Sequence, residues 1–121
     1  MNIHDIDTIR REFATLTRRA NESLGSYDTG TLGIGRYVPG SSPWERHDNG
    51  DELLYVTDGE VTVELLEEDG TSTKHDVRAG QLVVIPARRW HRLTAREPVN
   101  ILFASPSEDG VERSRDHPLA Q

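Results

Sequence analysis

The sequence contains no cysteine, few aromatic residues and no long apolar run. Without cysteine there is neither a disulfide framework nor a thiolate metal site, so any bound metal must use imidazole and carboxylate ligands. No apolar run approaches the roughly 20 residues that a membrane helix requires, and residues 1–11 lack the apolar core of a signal peptide. We therefore expect a cytoplasmic protein that has no membrane partner.

Basic residues are also in the minority. The chain carries 14 Lys and Arg against 21 Asp and Glu, which gives a formal net charge of −7. No segment combines clustered lysine and arginine with interleaved aromatic residues, as a nucleic-acid-binding face would, so no nucleic-acid partner is expected. The length of 121 residues corresponds to one domain with a core of its own.

The N-terminal segment has the pattern of an amphipathic helix. From Asp5 to about Leu24, apolar residues recur at intervals of three and four with arginines between them. These apolar residues are Ile6, Ile9, Phe13, Leu16 and Ala20. We expect this helix to pack on the outside of the following domain rather than to bind a partner protein, and Gly25 to end it.

From Leu32 onward the pattern changes to short β-type runs separated by turn residues, which is typical of a sandwich or barrel. The predicted strands are Leu32–Val38, Trp44–His47, Glu52–Val56, Val61–Leu66, Leu82–Ile85, His91–Thr94 and Val99–Phe103. Asn49-Gly50 and Asp69-Gly70 favour tight hairpin turns. The expected organisation is a helix in residues 1–26, a barrel in residues 27–105 and a polar, loosely ordered tail in residues 106–121.

Several metal-ligating side chains fall near one another in this scheme. Glu45 and His47 alternate along one strand and therefore share a face. A tight turn over residues 48–51 would bring Glu52, at the start of the next strand, close to His47. His91 begins a later strand and can also face inward. Histidine together with carboxylate suits Fe, Mn, Zn or Ni, and is a poor site for Ca or Mg.

Two motifs with defined spacing contain these residues. Glu52 is followed, after six intervening residues, by Gly59. Gly80 is followed by Pro86 after five intervening residues, and His91 lies five positions further on. The two patterns, in this order, resemble the two motifs of the cupin superfamily, and the neighbouring strands extend the resemblance to most of the chain.

The resemblance implies an all-β jelly-roll barrel, the cupin β-barrel, here with an added N-terminal α-helix. Barrels of this family are often paired into homodimers, so a homodimer is expected. The resemblance also implies a divalent transition metal inside the barrel, with His47, Glu52 and His91 as its ligands.

The first motif departs from the family pattern at one ligand position. Glu45 occupies the place where the family usually has the first of two histidines. If Glu45 binds, the site has two imidazoles and two carboxylates and favours a harder metal. If Glu45 turns away, the remaining three residues form a two-histidine, one-carboxylate set like that of non-haem iron oxygenases.

Three functions remain open at this stage. The first is a metal-dependent oxygenase acting on a small organic molecule, and the second is a lyase, isomerase or cyclase if the metal is redox-inert. The third is a ligand-binding or sensor cupin without turnover. A barrel that has lost its metal would keep the same residues as a hydrogen-bonded polar cluster.

Arg36 is a candidate for binding a substrate carboxylate. It shares one face of its strand with Ile34 and Val38, and that face would have to line the barrel interior. The opposite alternation would place Tyr37 inside instead.

Overall fold

The structure, a computed structural model, describes residues 1–119. Within this range it contains one helix and eleven strands. In chain order the elements are α1 (Ile6–Phe13), β1 (Ala20–Tyr27), β2 (Gly30–Tyr37), β3 (Gly40–Ser41), β4 (Trp44–His47), β5 (Glu52–Asp58), β6 (Glu60–Leu66), β7 (Ser72–Arg78), β8 (Leu82–Ile85), β9 (His91–Ala95), β10 (Val99–Ser105) and β11 (Val111–Ser114).

The strands form two antiparallel sheets. The first sheet has the order β1-β2-β10-β5-β8, and the second has the order β11-β4-β9-β6-β7, with β3 also paired to β9. Strands that follow one another in sequence therefore often lie in different sheets, as in a jelly roll. The predicted fold class, an all-β jelly-roll barrel with an N-terminal helix, is confirmed.

The main core lies between the two sheets and follows the alternation of the strands. In β5, for example, Glu52, Leu54 and Val56 are buried, while the residues between them are more exposed. The buried apolar members of this core are Leu54, Val56, Val61, Val63, Val77, Ile85, Ala95, Val99 and Ile101. The alternation that buries this core also directs the Glu52 carboxylate into the barrel.

The N-terminal helix is shorter than predicted. It ends at Phe13, and the segment expected to continue it to Leu24 instead becomes edge strand β1, which pairs with β2. The apolar spacing misled because Leu16 and Ala20 still pack against the same outer cluster around Ile34, although they do so from a loop and a strand. The apolar residues thus keep a helical spacing beyond Phe13 because they pack on the same cluster, and not because the helix continues.

Two further predictions, a hairpin turn at residues 48–51 and a helix end at Gly25, are also wrong. Residues 48–51 do not form a hairpin, because β4 belongs to the second sheet and β5 to the first, so this segment crosses between the sheets. Gly25 does not end the helix but lies at a β-bulge in β1. The Asp69-Gly70 turn does form a hairpin between β6 and β7, with Gly70 at a φ of 88°.

The tail contains a strand that the sequence pattern did not indicate. β11 pairs with β4, which places Arg113 opposite Glu45 and Glu112 opposite Arg46. Its residues are mostly polar, so there is no apolar alternation to predict it. Backbone pairing and the Arg46–Glu112 and Arg113–Glu45 ion pairs hold it at the edge of the second sheet. The expected loose order of the tail is therefore wrong for this segment; Ala120 and Gln121 lie outside the described residues.

Of the two alternations left open for β2, the structure has the one that places Tyr37, and not Arg36, at the barrel interior. Its side chain is buried on the outer face of the first sheet, where Nε donates to the Leu16 carbonyl at 3.0 Å and Nη1 donates to Asn100 Oδ1 at 3.1 Å. Asn100 in turn donates to Asp58, which forms an ion pair with Arg10 of the helix. Arg36 thus belongs to a polar network that attaches the N-terminal segment to the sheet.

No helix within residues 1–119 is long and apolar enough to cross a membrane. The cytoplasmic location, the absence of a nucleic-acid partner and the homodimer stay predictions. Size-exclusion chromatography with light scattering would measure the oligomeric state directly.

Arg36→Met tests the structural role of this arginine. The variant keeps an unbranched side chain but leaves the Leu16 carbonyl and Asn100 Oδ1 without their donor, so the free energy of unfolding should fall by about 2 kcal/mol. Urea unfolding measures the change, with the exposed Arg96→Met as the matched control. An unchanged unfolding free energy together with lost ligand binding would restore the substrate role of Arg36.

Candidate metal centre

The structure brings the four predicted ligand residues together inside the barrel. Glu45 and His47 project inward from β4, Glu52 from β5 and His91 from β9. One ligand atom from each residue lies within 4.8 Å of every other. The four residues come from both sheets, and Glu45 lies directly opposite His91 across the β4–β9 pair.

Both imidazoles face the carboxylates through Nε2. His47 Nε2 is 2.8 Å from Glu45 Oε1 and 3.3 Å from Glu52 Oε2. His91 Nε2 is 3.4 Å from Glu52 Oε1 and 3.9 Å from Glu45 Oε1. The two rings are nearly parallel, with centroids 5.5 Å apart. Glu45 therefore faces the other three residues, as the four-residue alternative required.

Each carboxylate is also fixed from outside the cluster. Ser105, at the end of β10, donates to Glu52 Oε2 at 2.7 Å. Arg113 of β11 donates from Nε to Glu45 Oε2 at 2.8 Å, which leaves Glu45 Oε1 for the cluster. Sequence reasoning missed Arg113 because it lies in a polar segment far from both motifs, and it missed Ser105 because a strand-ending serine has no distinctive pattern.

The electrostatics of the cluster reflect one buried and one half-buried carboxylate that lie close to two histidines. Burial alone would lower the pKa of His47, but the hydrogen bonds and negative charges of Glu45 and Glu52 outweigh it and raise the pKa to about 9. Burial alone would raise the pKa of Glu52, but hydrogen bonds from His47, His91 and Ser105 lower it to about 2. Near neutral pH and without a metal, Glu52 is therefore ionised and His47 carries a proton.

The donor set fits a divalent transition metal. Imidazole and carboxylate together suit Fe, Mn, Zn or Ni, and all four donors are held on strands rather than on loops. His91 Nδ1 faces the carbonyl of Arg89 at 3.3 Å, which leaves Nε2 for a ligand. His47 has no such partner, since its Nδ1 is buried without a hydrogen bond in the described part of the chain. A metal bound there would replace the proton on His47 Nε2.

The cluster lines a cavity of about 470 Å³ inside the barrel. Its lining includes the apolar side chains of Leu54, Leu93 and Phe103 as well as the polar residues Arg19 and Tyr37. This size is in the usual range for sites that hold a small organic ligand. The arrangement therefore places potential metal ligands beside a space that such a molecule can fill.

Comparison with known proteins gives a consistent result. The sequence model of a family described as "Cupin domain" matches residues 33–105. A solved cupin-2 domain containing protein from Shewanella frigidimarina is 20% identical over 81% of this chain and 91% of that chain, with a TM-score of 0.66. For a cupin superfamily protein from Desulfitobacterium hafniense the identity is 16%, the coverage 75% and 79%, and the TM-score 0.62.

A solved oxalate oxidase in complex with glycolate also has a similar fold. It is 19% identical, with a TM-score of 0.62, and the similarity covers 83% of this chain and 57% of that chain. At these identities the likeness to solved structures shows the fold alone. No curated protein matches the sequence.

The shifted pKa values predict how the stability of the metal-free protein depends on pH. The pKa of His47 is raised from 6.5 to about 9, so its contribution is complete below pH 6.5 and is lost as the pH rises through 9. The pKa of Glu52 is lowered from 4.5 to about 2, so its contribution is complete above pH 4.5 and is lost as the pH falls through 2.

The unfolding free energy should therefore fall between pH 6.5 and 9, and His47→Gln should flatten this decline because glutamine does not titrate. Urea unfolding of the chelator-treated protein at several pH values measures how the unfolding free energy changes with pH. His75→Gln, on exposed β7, is the matched control and should keep the original slope. Equal alkaline slopes in the parent protein and in His47→Gln would contradict the assigned shift.

Proposed function

The chain belongs to the cupin domain family, and from its buried cluster of two histidines and two glutamates we propose that it is a metal-binding cupin acting on a small organic molecule. The observation that carries the proposal is that four potential ligand atoms lie within 4.8 Å of one another beside a partly open cavity. Buried charged groups need such compensation, and a bound metal supplies it together with a chemical function.

We assign the ligands as His47, Glu52, His91 and Glu45. The first three occupy the family motif positions, and Glu45 is supported by its contacts with His47 on one oxygen and Arg113 on the other. Arg113 holds the carboxylate in its inward orientation, as outer contacts commonly do for ligands. The proposed cofactor is a divalent transition metal, Fe, Mn, Zn or Ni.

The leading activity is that of a metal-dependent oxygenase, with a lyase, isomerase or cyclase activity if the metal is redox-inert. A metal held in the cluster would supply Lewis acidity, and iron would add redox chemistry. The chain itself would exclude water with the apolar wall and orient the substrate beside the cluster. The oxalate oxidase of similar fold supports the redox alternative, since it is a protein named for an oxidation.

A ligand-binding or sensor protein without turnover is the second candidate. One observation favours it: among the described residues of the cavity lining, the one carboxylate outside the cluster is Glu108, and it is paired with Arg113. No free general base of that type is therefore available beside the ligands. Oxygen consumption or substrate turnover by the metal-loaded protein would reject this alternative, and ligand binding without turnover would favour it.

His91→Ala tests the site directly. The variant removes one of two imidazole donors, so the purified protein should lose its near-stoichiometric metal while its far-ultraviolet circular dichroism stays unchanged. Elemental analysis by inductively coupled plasma mass spectrometry, before any exposure to chelator, gives the metal content. His75→Ala, with an exposed histidine on β7, is the matched control. Unchanged metal content in His91→Ala would overturn the assignment.

Glu45→Gln tests the fourth ligand. The amide keeps the shape of the side chain but lacks its charge, so metal affinity should fall at least about tenfold if Glu45 binds. Isothermal titration with Zn²⁺ measures the dissociation constant. Glu64→Gln is the control, because Glu64 is also an ion-paired carboxylate, bound to Arg92 outside the cavity lining. An unchanged dissociation constant in Glu45→Gln would reduce the site to three residues.

A further inference from the structure

The cavity that holds the cluster is bordered by arginines. Arg19, Arg113 and Arg115 all line it, although the chain as a whole carries a formal charge of −7. Arg113 is neutralised by Glu45 and Glu108. Arg19 and Arg115 make no ion pair within residues 1–119, so two guanidinium groups at this cavity have positive charge available for a ligand.

Arg19 is an exposed residue whose guanidinium group contacts an aromatic ring of the cavity lining. Its guanidinium carbon lies 5.3 Å from the centroid of the Tyr37 ring, a cation–π contact that orients the planar group at the cavity. The Tyr37 ring can lie along β2 because Gly35 has no side chain: a Cβ there would come within 2.9 Å of the ring. Gly35 thus leaves the space that places the arginine–tyrosine pair.

Tyr37 adds a hydrogen-bond donor beside this charge. Its hydroxyl makes no hydrogen bond to another side chain or backbone group in the described part of the chain, and the residue lines the cavity. Burial raises the pKa of Tyr37, so the hydroxyl keeps its proton at neutral pH. A protonated phenol and a guanidinium are together suited to binding a carboxylate.

The cluster itself would not attract an anion strongly. With Glu45 and Glu52 both bound, their two negative charges would cancel the charge of a divalent metal. An anionic substrate would therefore depend on positive charge elsewhere in the cavity, and Arg19 and Arg115 provide it. The lining also contains apolar side chains that suit the hydrocarbon part of a ligand, namely Leu54, Val61, Leu93, Val99, Ile101 and Phe103.

We propose that the cavity binds a small organic carboxylate with an apolar body, whose carboxylate contacts Arg19 and the Tyr37 hydroxyl while its opposite end lies towards the cluster. This assignment rests on the proposed function for the role of the metal, but the recognition of the carboxylate depends on Arg19 and Tyr37. Arg19 would then bind the substrate carboxylate, for which the sequence pattern had suggested Arg36.

Benzoate and its neutral isostere benzamide are the probes. Titration calorimetry on the zinc-loaded and the metal-free protein should show that benzoate binds more tightly than benzamide, and that added salt weakens benzoate alone. Arg19→Gln should lower benzoate affinity about tenfold and leave benzamide unchanged. Tyr37→Phe should also weaken benzoate, because it removes the hydroxyl donor. Arg96→Gln removes an exposed arginine outside this cavity and should change neither.

The outcomes separate the two proposals when zinc content is measured on the same samples. Protein that holds zinc but binds both probes equally, or an Arg19→Gln variant with full benzoate affinity, would overturn the carboxylate assignment. Benzoate binding that depends on Arg19 in protein that takes up no metal would support it and reject the metalloenzyme. If Arg19→Gln misfolds, the benzoate and benzamide affinities of the unsubstituted protein still test the proposal.

Discussion

Two carboxylates lie close together in the barrel, and the groups that neutralise them connect distant parts of the chain to one site. Glu45 and Glu52 share the His47 imidazole, whose pKa is raised to about 9 by their proximity. Buried charge of one sign is costly unless partners are supplied, and here they come from several distant parts of the chain. Arg113 is one such partner, and it accounts for the return of the polar C-terminal segment to β4.

A second polar arrangement organises the opposite face of the first sheet. There Arg36 and Asn100 connect the strands to the N-terminal segment, while Ile9 and Phe13 pack on Ile34. The apolar contacts are non-directional, whereas the hydrogen bonds fix how the helix sits on the sheet. The two faces of β2 thus have separate functions: its outer face holds the helix, and its inner face presents Tyr37 to the cavity.

The fold class could be predicted from the sequence, and so could the convergence of Glu45, His47, Glu52 and His91. Strand alternation and the spacing of glycine, proline and histidine in the two motifs are local signals, and they placed Glu52 and His91 correctly on inward faces. The sequence pattern predicts too long a helix because Leu16 and Ala20 fit a helical period, although they pack against the same cluster from a loop and from β1. The alternation of β2 is ambiguous in the sequence because both of its faces are covered, so the pattern leaves open whether Arg36 or Tyr37 faces the interior.

Strand β11 and its contact with Glu45 could not be predicted from the sequence, and the reason is different. β11 is stabilised by pairing with a strand more than sixty residues away, so neither its order nor the contact of Arg113 with Glu45 has a local signature. Non-local pairing of this kind depends on the completed fold. The contact between Arg19 and Tyr37 also has no signature in the sequence, because it joins the loop before β1 to the end of β2.

Residues 48–51 pass from one sheet to the other, so the four residues of the cluster lie on both sheets. Glu45, His47 and His91 belong to the second sheet and Glu52 to the first, so a single ion bound by all four would join the two layers of the barrel. In a chain without cysteine, such an ion would act as a reversible cross-link between layers that are otherwise joined by packing and by the connecting loops. Metal supply would then set the rigidity of the barrel as well as its chemistry.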